Sequence, residues 1–273
     1  MRLDVKMVKM NMAKSREGAK ELILSGSVLV SGKVVQKPDL QVENGVSVGI
    51  DDKQVNIRYA SRGAYKIMWA TREFNLDFYG KKVLDLGSSN GGFTDFVLQQ
   101  GAGKIISVDV GYGLLEWRLR NDSRVIVLER TNARYLKPED VPYLAEIVMG
   151  DLSFISLRLI IPSAAVCSTE DAEFIFLVKP QFEVGREKVQ KGGIVKDETA
   201  IRESIMNIYQ VMKGNSINFI DIAFSPIRNR HGNIEYFIYA GKVASSVATE
   251  EVEQKIKDII EKAKIFFGEE ERN

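Results

Sequence analysis

The sequence predicts a doubly wound α/β fold preceded by a small α+β domain. From residue 62 onward, short apolar runs alternate with helical patterns, which is typical of a parallel sheet covered by helices. Residues 82–96 combine a strand, a glycine-rich turn and a helix, the layout of a nucleotide-type cofactor loop. The first 50 residues instead show two helical patterns and a hairpin, so a separate unit is expected there.

The composition is that of a globular protein with a single cysteine. Of 273 residues, 45% are hydrophobic and 27% are charged, which suits one large or two modest domains. Cys167 excludes an internal disulfide and fits a reducing compartment. No apolar segment of membrane-spanning length and no signal-peptide pattern is found, so a cytoplasmic protein that does not enter membranes is expected.

Residues 1–53 are predicted to form the small N-terminal domain. A helix is expected over 2–10, and Ser15 is a suitable N-cap for a second helix over 16–24. Strands are predicted at 28–30, 34–35 and near 46–48. Residues 1–66 carry 12 Lys and Arg against 7 Asp and Glu, whereas the remaining chain carries 26 against 30. This excess indicates an anionic partner for the N-terminal domain, with a solvated charged face as the alternative.

A polar linker is expected over 54–61, followed by a large domain over 62–273. Its first helix is capped by Ser61, ends near Phe74 and carries Lys66. In the glycine-rich turn, the spacing differs from the dinucleotide fingerprint, and an acid inside the motif disfavours a pyrophosphate. A cationic cofactor without a diphosphate, such as S-adenosylmethionine, fits better, and an ordinary tight turn is the alternative. The candidate cofactor residues here are Asp85, Gly87, Ser88, Ser89, Gly91, Gly92 and Phe93.

Later strands place polar residues where each strand ends. Strand 104–108 ends at Asp109, where a carboxylate would bind a ribose diol, and Asn132 follows strand 125–128 within reach of an adenine edge. Asp151 follows a strand over 146–149, and Lys179 follows one over 174–178, where Pro180 stops the strand. The other predicted elements are helices at 93–100, 114–121, 156–167, 198–212 and 250–267, and an antiparallel strand pair at 217–223 and 234–240.

The strand ends predict one crevice in which a methyltransferase site is assembled. Carboxyl ends of parallel strands meet at one edge of a sheet, so Asp85, Asp109, Asp151 and Lys179 should lie together. The chain has no N-P-P-Y-type tetrapeptide for amino nitrogen and no catalytic-type cysteine for pyrimidine C5. A lysine among carboxylates suits a hydroxyl acceptor instead. No metal site is predicted, and His231 is interpreted as a structural or RNA-facing loop residue.

Specific motifs carry a family resemblance. The run SREGAKELI followed by G-x-V-x-V-x-G-K resembles the αL-type RNA-binding motif of a ribosomal protein, pseudouridine synthases and TlyA-type methyltransferases. The segments LDLGSSNGGFTDF, GDLSFISL, LVKPQFE and SPI-GN-E-YF resemble the TlyA family, whose members are known as haemolysins and as ribosomal RNA 2′-O-methyltransferases. The large domain is similar to the wider FtsJ class, a Rossmann-like methyltransferase fold with a seven-stranded, mostly parallel sheet.

The resemblance implies an S-adenosylmethionine-dependent enzyme that methylates a ribose 2′-hydroxyl, with ribosomal RNA or a ribosomal subunit as partner. The FtsJ catalytic tetrad corresponds to Lys66, Asp151, Lys179 and Glu235, with Asp151 also facing the cofactor. The candidate RNA-binding residues are Arg2, Lys9, Lys14, Ser15, Arg16, Lys20, Lys33, Arg62, Arg228 and Arg230. Two alternatives are a membrane-active haemolysin and a ribosome-assembly factor that binds RNA without catalysis.

Lys179 is the residue expected to orient the hydroxyl and take its proton. An ordinary lysine has a pKa of about 10.4, so a general base needs a lowered value. Lys66 and desolvation would lower the pKa of Lys179, whereas Asp151 and Glu235 would raise it. The sequence leaves open whether Lys179 is a base or mainly a positioning group.

Overall fold

The computed structural model describes residues 1–13, 15–43, 45–50, 59–229 and 232–272. Most of the linker predicted at 54–61 lies outside these ranges. Lys14, Arg230 and His231 also lie outside the described residues.

The N-terminal unit packs two helices against a three-stranded antiparallel sheet. The helices are α1 (Leu3–Lys9) and α2 (Arg16–Leu24), and the strands are β1 (Val28–Val30), β2 (Lys33–Val35) and β3 (Val48–Ile50), in sheet order β2-β1-β3. The Oγ of Ser15 accepts a hydrogen bond from the backbone N–H of Gly18, which starts α2 as predicted. Leu3, Met7, Ile23 and Val28 are buried between the helices and the sheet.

Within the described residues, seven strands form the large sheet in the order β6-β5-β4-β7-β8-β10-β9. The strands are β4 (Lys82–Leu86), β5 (Lys104–Val108), β6 (Val125–Leu128), β7 (Ala145–Gly150), β8 (Ser168–Val178), β9 (Asn218–Phe224) and β10 (Tyr236–Gly241). The strands β4 to β8 are parallel, and β10 runs antiparallel to both of its neighbours. The predicted α/β methyltransferase-type fold is thereby confirmed.

Strand β10 has different registers on its two sides. Against β8 its pairing is continuous, from Tyr236 opposite Val178 to Gly241 opposite Glu173. Against β9 the register shifts between Tyr239 and Ala240. The irregularity therefore lies on the side of the sheet edge and leaves the pairing with β8 intact.

Helices cover both faces of the sheet. They are α3 (Gly63–Phe74), α4 (Gly92–Gln99), α5 (Trp117–Arg120), α6 (Ile161–Val166), α7 (Pro180–Glu183), α8 (Glu198–Gly214) and α9 (Thr249–Arg272). Successive residues of β8 face opposite cores: Phe174 and Phe176 join the cluster that contains α8 and α9, and Ile175 and Leu177 join the cluster that contains α3 and α4. Both faces are buried, which explains the continuous apolar strands.

Two predicted helices differ from the structure. The helix expected over 156–167 is divided into a 3₁₀ turn, Leu157–Leu159, and α6. Pro162 lies in the first turn of α6, where the missing N–H is tolerated, and a continuous helix would place it in the interior. The helix expected over 114–121 is shortened to α5, and residues 111–116 form an irregular connection with several bends.

The N-terminal unit is attached to the large domain through α9. The Nη1 of Arg2 donates to the backbone oxygen of Phe266 at 2.7 Å, and its guanidinium lies 4.2 Å from that ring. The Nζ of Lys20 lies 4.9 Å from the ring of Phe267. Arg2 is 2% exposed and Lys20 is 0% exposed. The prediction that these two residues contact RNA is therefore corrected. Both side chains are buried and pack on aromatic rings of α9, where they join the two domains.

Replacing Phe267 should loosen this attachment. We expect Phe267→Ala to lower the free energy of unfolding by about 3 kcal/mol or more, because a fully buried aromatic ring leaves a cavity. Hydrogen exchange in α1 and α2 should accelerate as well. Ile265→Ala, at a half-exposed position of the same helix, is the control in urea unfolding. Equal, small effects of the two variants would contradict the role of Phe267.

Candidate active site

One lysine–carboxylate pair joins the ends of two neighbouring parallel strands. Asp151 follows β7, Lys179 follows β8, and the Lys179 Nζ lies 2.6 Å from Asp151 Oδ1. The same Nζ donates to the Oγ of Ser153 at 2.8 Å. Pro180 is the first residue of α7, so β8 does not continue past Val178 and Lys179 stays at the edge of the sheet.

A second lysine–carboxylate pair lies beside the first. Lys66 on α3 donates from Nζ to Glu235 Oε2 at 2.5 Å, and the Glu235 side chain is 2% exposed. Glu235 directly precedes β10. Because β10 is antiparallel to β8 and pairs Tyr236 with Val178, the N-terminal end of β10 lies beside the C-terminal end of β8. The structure therefore brings all four predicted tetrad residues together.

Interactions between the two pairs keep Asp151 and Lys66 in their charged forms. Burial alone would raise the pKa of Asp151, but Lys179 and Lys66 outweigh it and lower that pKa. Burial alone would lower the pKa of Lys66, but Glu235 and then Asp151 outweigh it and raise that pKa. Asp151 is therefore a carboxylate and Lys66 an ammonium at neutral pH.

Both pairs adjoin a cavity of about 650 Å³ that the glycine-rich turn also lines. Gly87 has a φ of +80°, and a Cβ there would lie 3.0 Å from the backbone oxygen of Asp151. A Cβ on Gly92 would lie 2.2 Å from the Oγ of Ser61. These glycines allow three chain segments to approach closely, which a side chain would prevent. Ser88 and Phe93 also line this cavity.

Asp85 is a buried acid at the base of this cavity. Its Oδ2 accepts from the backbone N–H and the Oγ1 of Thr94, at 3.1 and 2.6 Å. Its Oδ1 is buried without a hydrogen-bond partner in the structure. Burial raises the pKa of Asp85 to about 7, against the hydrogen bonds from Thr94 and with help from Asp151. An unsatisfied buried oxygen lining a cavity is a suitable acceptor for a cofactor amino group.

A second cavity of about 540 Å³ shares Gly87, Ser89 and Asp151 with the first. Asp109 lies in it and accepts from the N–H of Ser89 at 2.8 Å and of Gly111 at 2.7 Å, one bond on each oxygen. Its other walls are largely apolar and include Val108, Leu152 and Ile155. A carboxylate with further acceptor capacity beside apolar walls fits a ribose and a base.

Asn132 also lines this cavity, but part of its side chain is already used. Its Oδ1 accepts from the N–H of Arg134 at 3.0 Å and starts the 3₁₀ turn Ala133–Tyr135. Its contact with an adenine edge therefore stays a prediction for the amide nitrogen.

Sequence reasoning missed Ser153, Phe154, Gln181 and Phe182, which all line the first cavity. Phe154 is 91% exposed and has a φ of +63°, and its ring lies 4.9 Å from that of Phe182. The available signal was a phenylalanine three residues after the strand-end acid Asp151, in a segment predicted to lie at the cavity.

The remaining candidate RNA-binding residues lie in different environments. Lys9 and Lys33 are exposed. Ser15 caps α2, and Arg16 lies 3.4 Å from Asp4. Arg62 forms an ion pair with Glu21 at 2.5 Å, across the two domains. The guanidinium of Arg228 lies 4.5 Å from the ring of Phe267, and Arg228 also lines the first cavity.

The residues that the structure describes contain no group of three or more His, Cys, Asp or Glu side chains that could hold a metal ion. No helix in the described part of the chain is both long and apolar enough to cross a membrane.

Comparisons with known proteins match both parts of the chain. The family described as FtsJ-like methyltransferase matches residues 59–242, and the S4 domain matches residues 1–48. The 16S/23S rRNA (cytidine-2'-O)-methyltransferase TlyA of Mycobacterium tuberculosis is 40% identical over 240 residues, which are 87% of this chain and 88% of that protein. Hemolysin A of Brachyspira hyodysenteriae is 36% identical over 88% of this chain and 99% of that protein.

A solved structure from Streptococcus thermophilus, with hemolysin in its name, covers the whole of this chain. It is 34% identical, has a TM-score of 0.75, and 98% of that chain is covered. The similarity therefore extends over the N-terminal unit as well as the large domain.

The raised pKa of Asp85 predicts a pH-dependent stability. Because the folded-state pKa exceeds the unfolded one, this contribution is full below about pH 4 and is lost as the pH rises to about 7. At about 1.4 kcal/mol per unit of pKa difference, the free energy of unfolding should fall by a few kcal/mol over this range. We expect Asp85→Asn to reduce the fall in stability between pH 4 and 7, measured by urea unfolding without cofactor. An unchanged pH profile would contradict the assignment.

Proposed function

The chain belongs to the FtsJ-like methyltransferase family, and we propose that it transfers a methyl group from S-adenosylmethionine to a ribose 2′-hydroxyl of ribosomal RNA. One observation carries this proposal. Lys179–Asp151 and Lys66–Glu235 adjoin the same cavity as the glycine-rich turn, so an acceptor hydroxyl and a cofactor would meet there. The rRNA (cytidine-2'-O)-methyltransferase name of a 40% identical relative supports the acceptor.

The two connected cavities fit S-adenosylmethionine. Asp109 would bind the ribose diol, and the apolar walls with Asn132 would bind the adenine. Asp85 Oδ1 and the turn from Gly87 to Gly92 would hold the amino-acid part. When bound, the cofactor supplies a methyl group that its sulfonium activates for transfer. The chain's own groups then have to orient the acceptor hydroxyl and remove its proton.

Lys179 is the group that would contact this hydroxyl. Asp151 and Ser153 hold the Lys179 Nζ in one position, and Lys179 lines the cavity. Such fixed geometry contributes much of a transfer rate, because the reacting atoms need close and in-line placement. We propose that Lys179 orients the hydroxyl and, when its Nζ is unprotonated, receives the hydroxyl proton there as the new bond forms. Lys66 and Glu235 would hold the ribose and balance the charge.

The N-terminal unit, residues 1–53, would bind ribosomal RNA or a ribosomal subunit, and residues 62–273 would carry out catalysis. Lys9 and Lys33 are exposed there and can contact phosphates. The buried Arg2 and Lys20 would instead fix the unit to α9, so that bound RNA is presented in a defined orientation. The proposed site of action is the cytoplasm, where ribosomal RNA is found.

Removing Lys179 tests the catalytic assignment. We expect Lys179→Ala to lower methyl incorporation into ribosomal RNA at least about a hundredfold, the usual scale for acid–base groups. Cofactor affinity, measured by calorimetry, should stay near that of the unchanged protein. Lys257→Ala, on the exposed surface of α9, is the control. Near-normal turnover of the Lys179 variant would refute the role of Lys179, whereas no methyl incorporation by the unchanged protein would favour a factor that only binds RNA.

Charge reversal tests the RNA-binding surface. We expect the pair Lys9→Glu and Lys33→Glu to weaken RNA binding and to reduce the slope of log affinity against log salt by about two, since two phosphate contacts are lost. The control pair, Lys213→Glu with Lys257→Glu, makes the same charge change at exposed positions of α8 and α9. Equal slopes for both pairs would place the RNA elsewhere.

A further inference from the structure

Glu183 is a buried carboxylate that does not belong to the tetrad. It joins the chain segment that carries Asp151 to the one that carries Lys179. Its side chain is 2% exposed. Oε2 accepts from the Oγ of Ser156 at 2.6 Å, and Oε1 accepts from the backbone N–H of Leu157 at 2.7 Å. Glu183 ends α7, four residues after Lys179, and Ser156 lies five residues after Asp151.

The same two segments meet at two further places. The Lys179 Nζ contacts Asp151 and Ser153, and the ring of Phe154 packs on that of Phe182. Along the chain, the contacts of Glu183 are the ones farthest from Asp151 and Lys179. They also fix the 3₁₀ turn Leu157–Leu159, whose first N–H group, that of Leu157, donates to the Glu183 carboxylate. The apolar side chains of Leu152, Ile155 and Leu157 pack against the core, and the contacts of Glu183 add polar bonds that fix the end of this segment.

We propose that Glu183 is a positioning residue, which holds the Asp151 segment at the distance from Lys179 that methyl transfer requires. Burying a carboxylate is costly unless strong donors satisfy it, and here Ser156 and Leu157 satisfy it at short distances. Burial raises the pKa of Glu183, and the bonds from Ser156 and Leu157 oppose that rise. Glu183 acts through Asp151, Ser153 and Lys179 and does not touch the reacting atoms.

The kinetic part of the test rests on the proposed function. We expect Glu183→Gln, which keeps the size of the side chain, to lower the single-turnover rate at saturating S-adenosylmethionine and ribosomal RNA by about 10- to 100-fold, since small misplacements at a reacting centre have effects of this size. Cofactor affinity and RNA affinity should change less than about threefold. The control Glu173→Gln alters a carboxylate on β8, the strand that Lys179 follows. This carboxylate accepts a hydrogen bond from the Tyr239 hydroxyl, and the rate of the control variant should stay normal.

A double variant separates positioning from a general structural lesion. If Glu183 acts through Lys179, Glu183→Gln should cause no further loss in a Lys179→Ala protein, because the group being positioned is already absent. An equal loss in both backgrounds would overturn the proposal. An unchanged rate of the single Glu183→Gln variant would also overturn it.

Hydrogen exchange supplies a measurement that needs no substrate. In Glu183→Gln, the amides of residues 151–159 should exchange about tenfold faster or more, while those of β4 and β5 stay unchanged, because hydrogen bonds to a charged group are lost. If hydrogen exchange in Glu183→Gln equals that of the original protein, the positioning role of Glu183 is overturned, whatever the substrate is. A failure of the proposed function would be seen separately, because the original protein would then not methylate ribosomal RNA. If the glutamine variant does not fold, Ser156→Ala removes one of the two bonds and supports the same comparison.

Discussion

The structure depends on a constraint of parallel sheets: the carboxyl ends of neighbouring strands lie at one edge. Strands β4, β7 and β8 are neighbours, so the glycine-rich turn, Asp151 and Lys179 converge there although they are far apart in sequence. The 2.6 Å contact between Lys179 and Asp151 is the direct result. The antiparallel β10 adds Glu235 from its opposite end, and α3 supplies Lys66 from outside the sheet.

Charge balance makes this convergence tolerable. Two lysines and two carboxylates are largely buried in one place, and an unpaired buried charge would be strongly unfavourable. One-to-one pairing keeps Asp151 and Lys66 charged, as the directions of their pKa changes indicate. Asp85 is different because burial raises its pKa to about 7, and among the residues that the structure describes only hydroxyl and amide donors, and no cation, contact it. The site therefore combines fixed charges with one acid that titrates near neutrality.

Local sequence signals were sufficient for much of the fold. The Ser15 cap, the apolar runs of β5 and β6 and the glycine-rich turn lie where they were predicted, because short-range chemistry determines them. The division at residues 157–161 was missed because helical periodicity outweighed the effect of Pro162. The tetrad could be named from motifs, and its geometry follows from strand order. The roles of its members stay predictions.

Burial was the information that the sequence lacked. Arg2 and Lys20 look like surface cations in a basic segment, and the presence of two phenylalanines some 250 residues later cannot be read from local patterns. Glu183 likewise looks like an ordinary acid in a charged stretch, yet tertiary packing makes it a buried acceptor of two hydrogen bonds. Such long-range contacts determine both how the domains are joined and how the active-site segments are held.

The uneven register of β10 has a consequence for how the chain can change. Its pairing with β8 is uninterrupted, so the position of Glu235 relative to Lys179 is fixed by the strand register. The register shift lies on the other side of β10, toward the edge strand β9. An insertion or deletion of one residue in β9 can be accommodated at this register shift, and the pairing between β10 and β8 then stays unchanged. The outermost strand thus provides tolerance to insertions and deletions that the catalytic centre itself lacks.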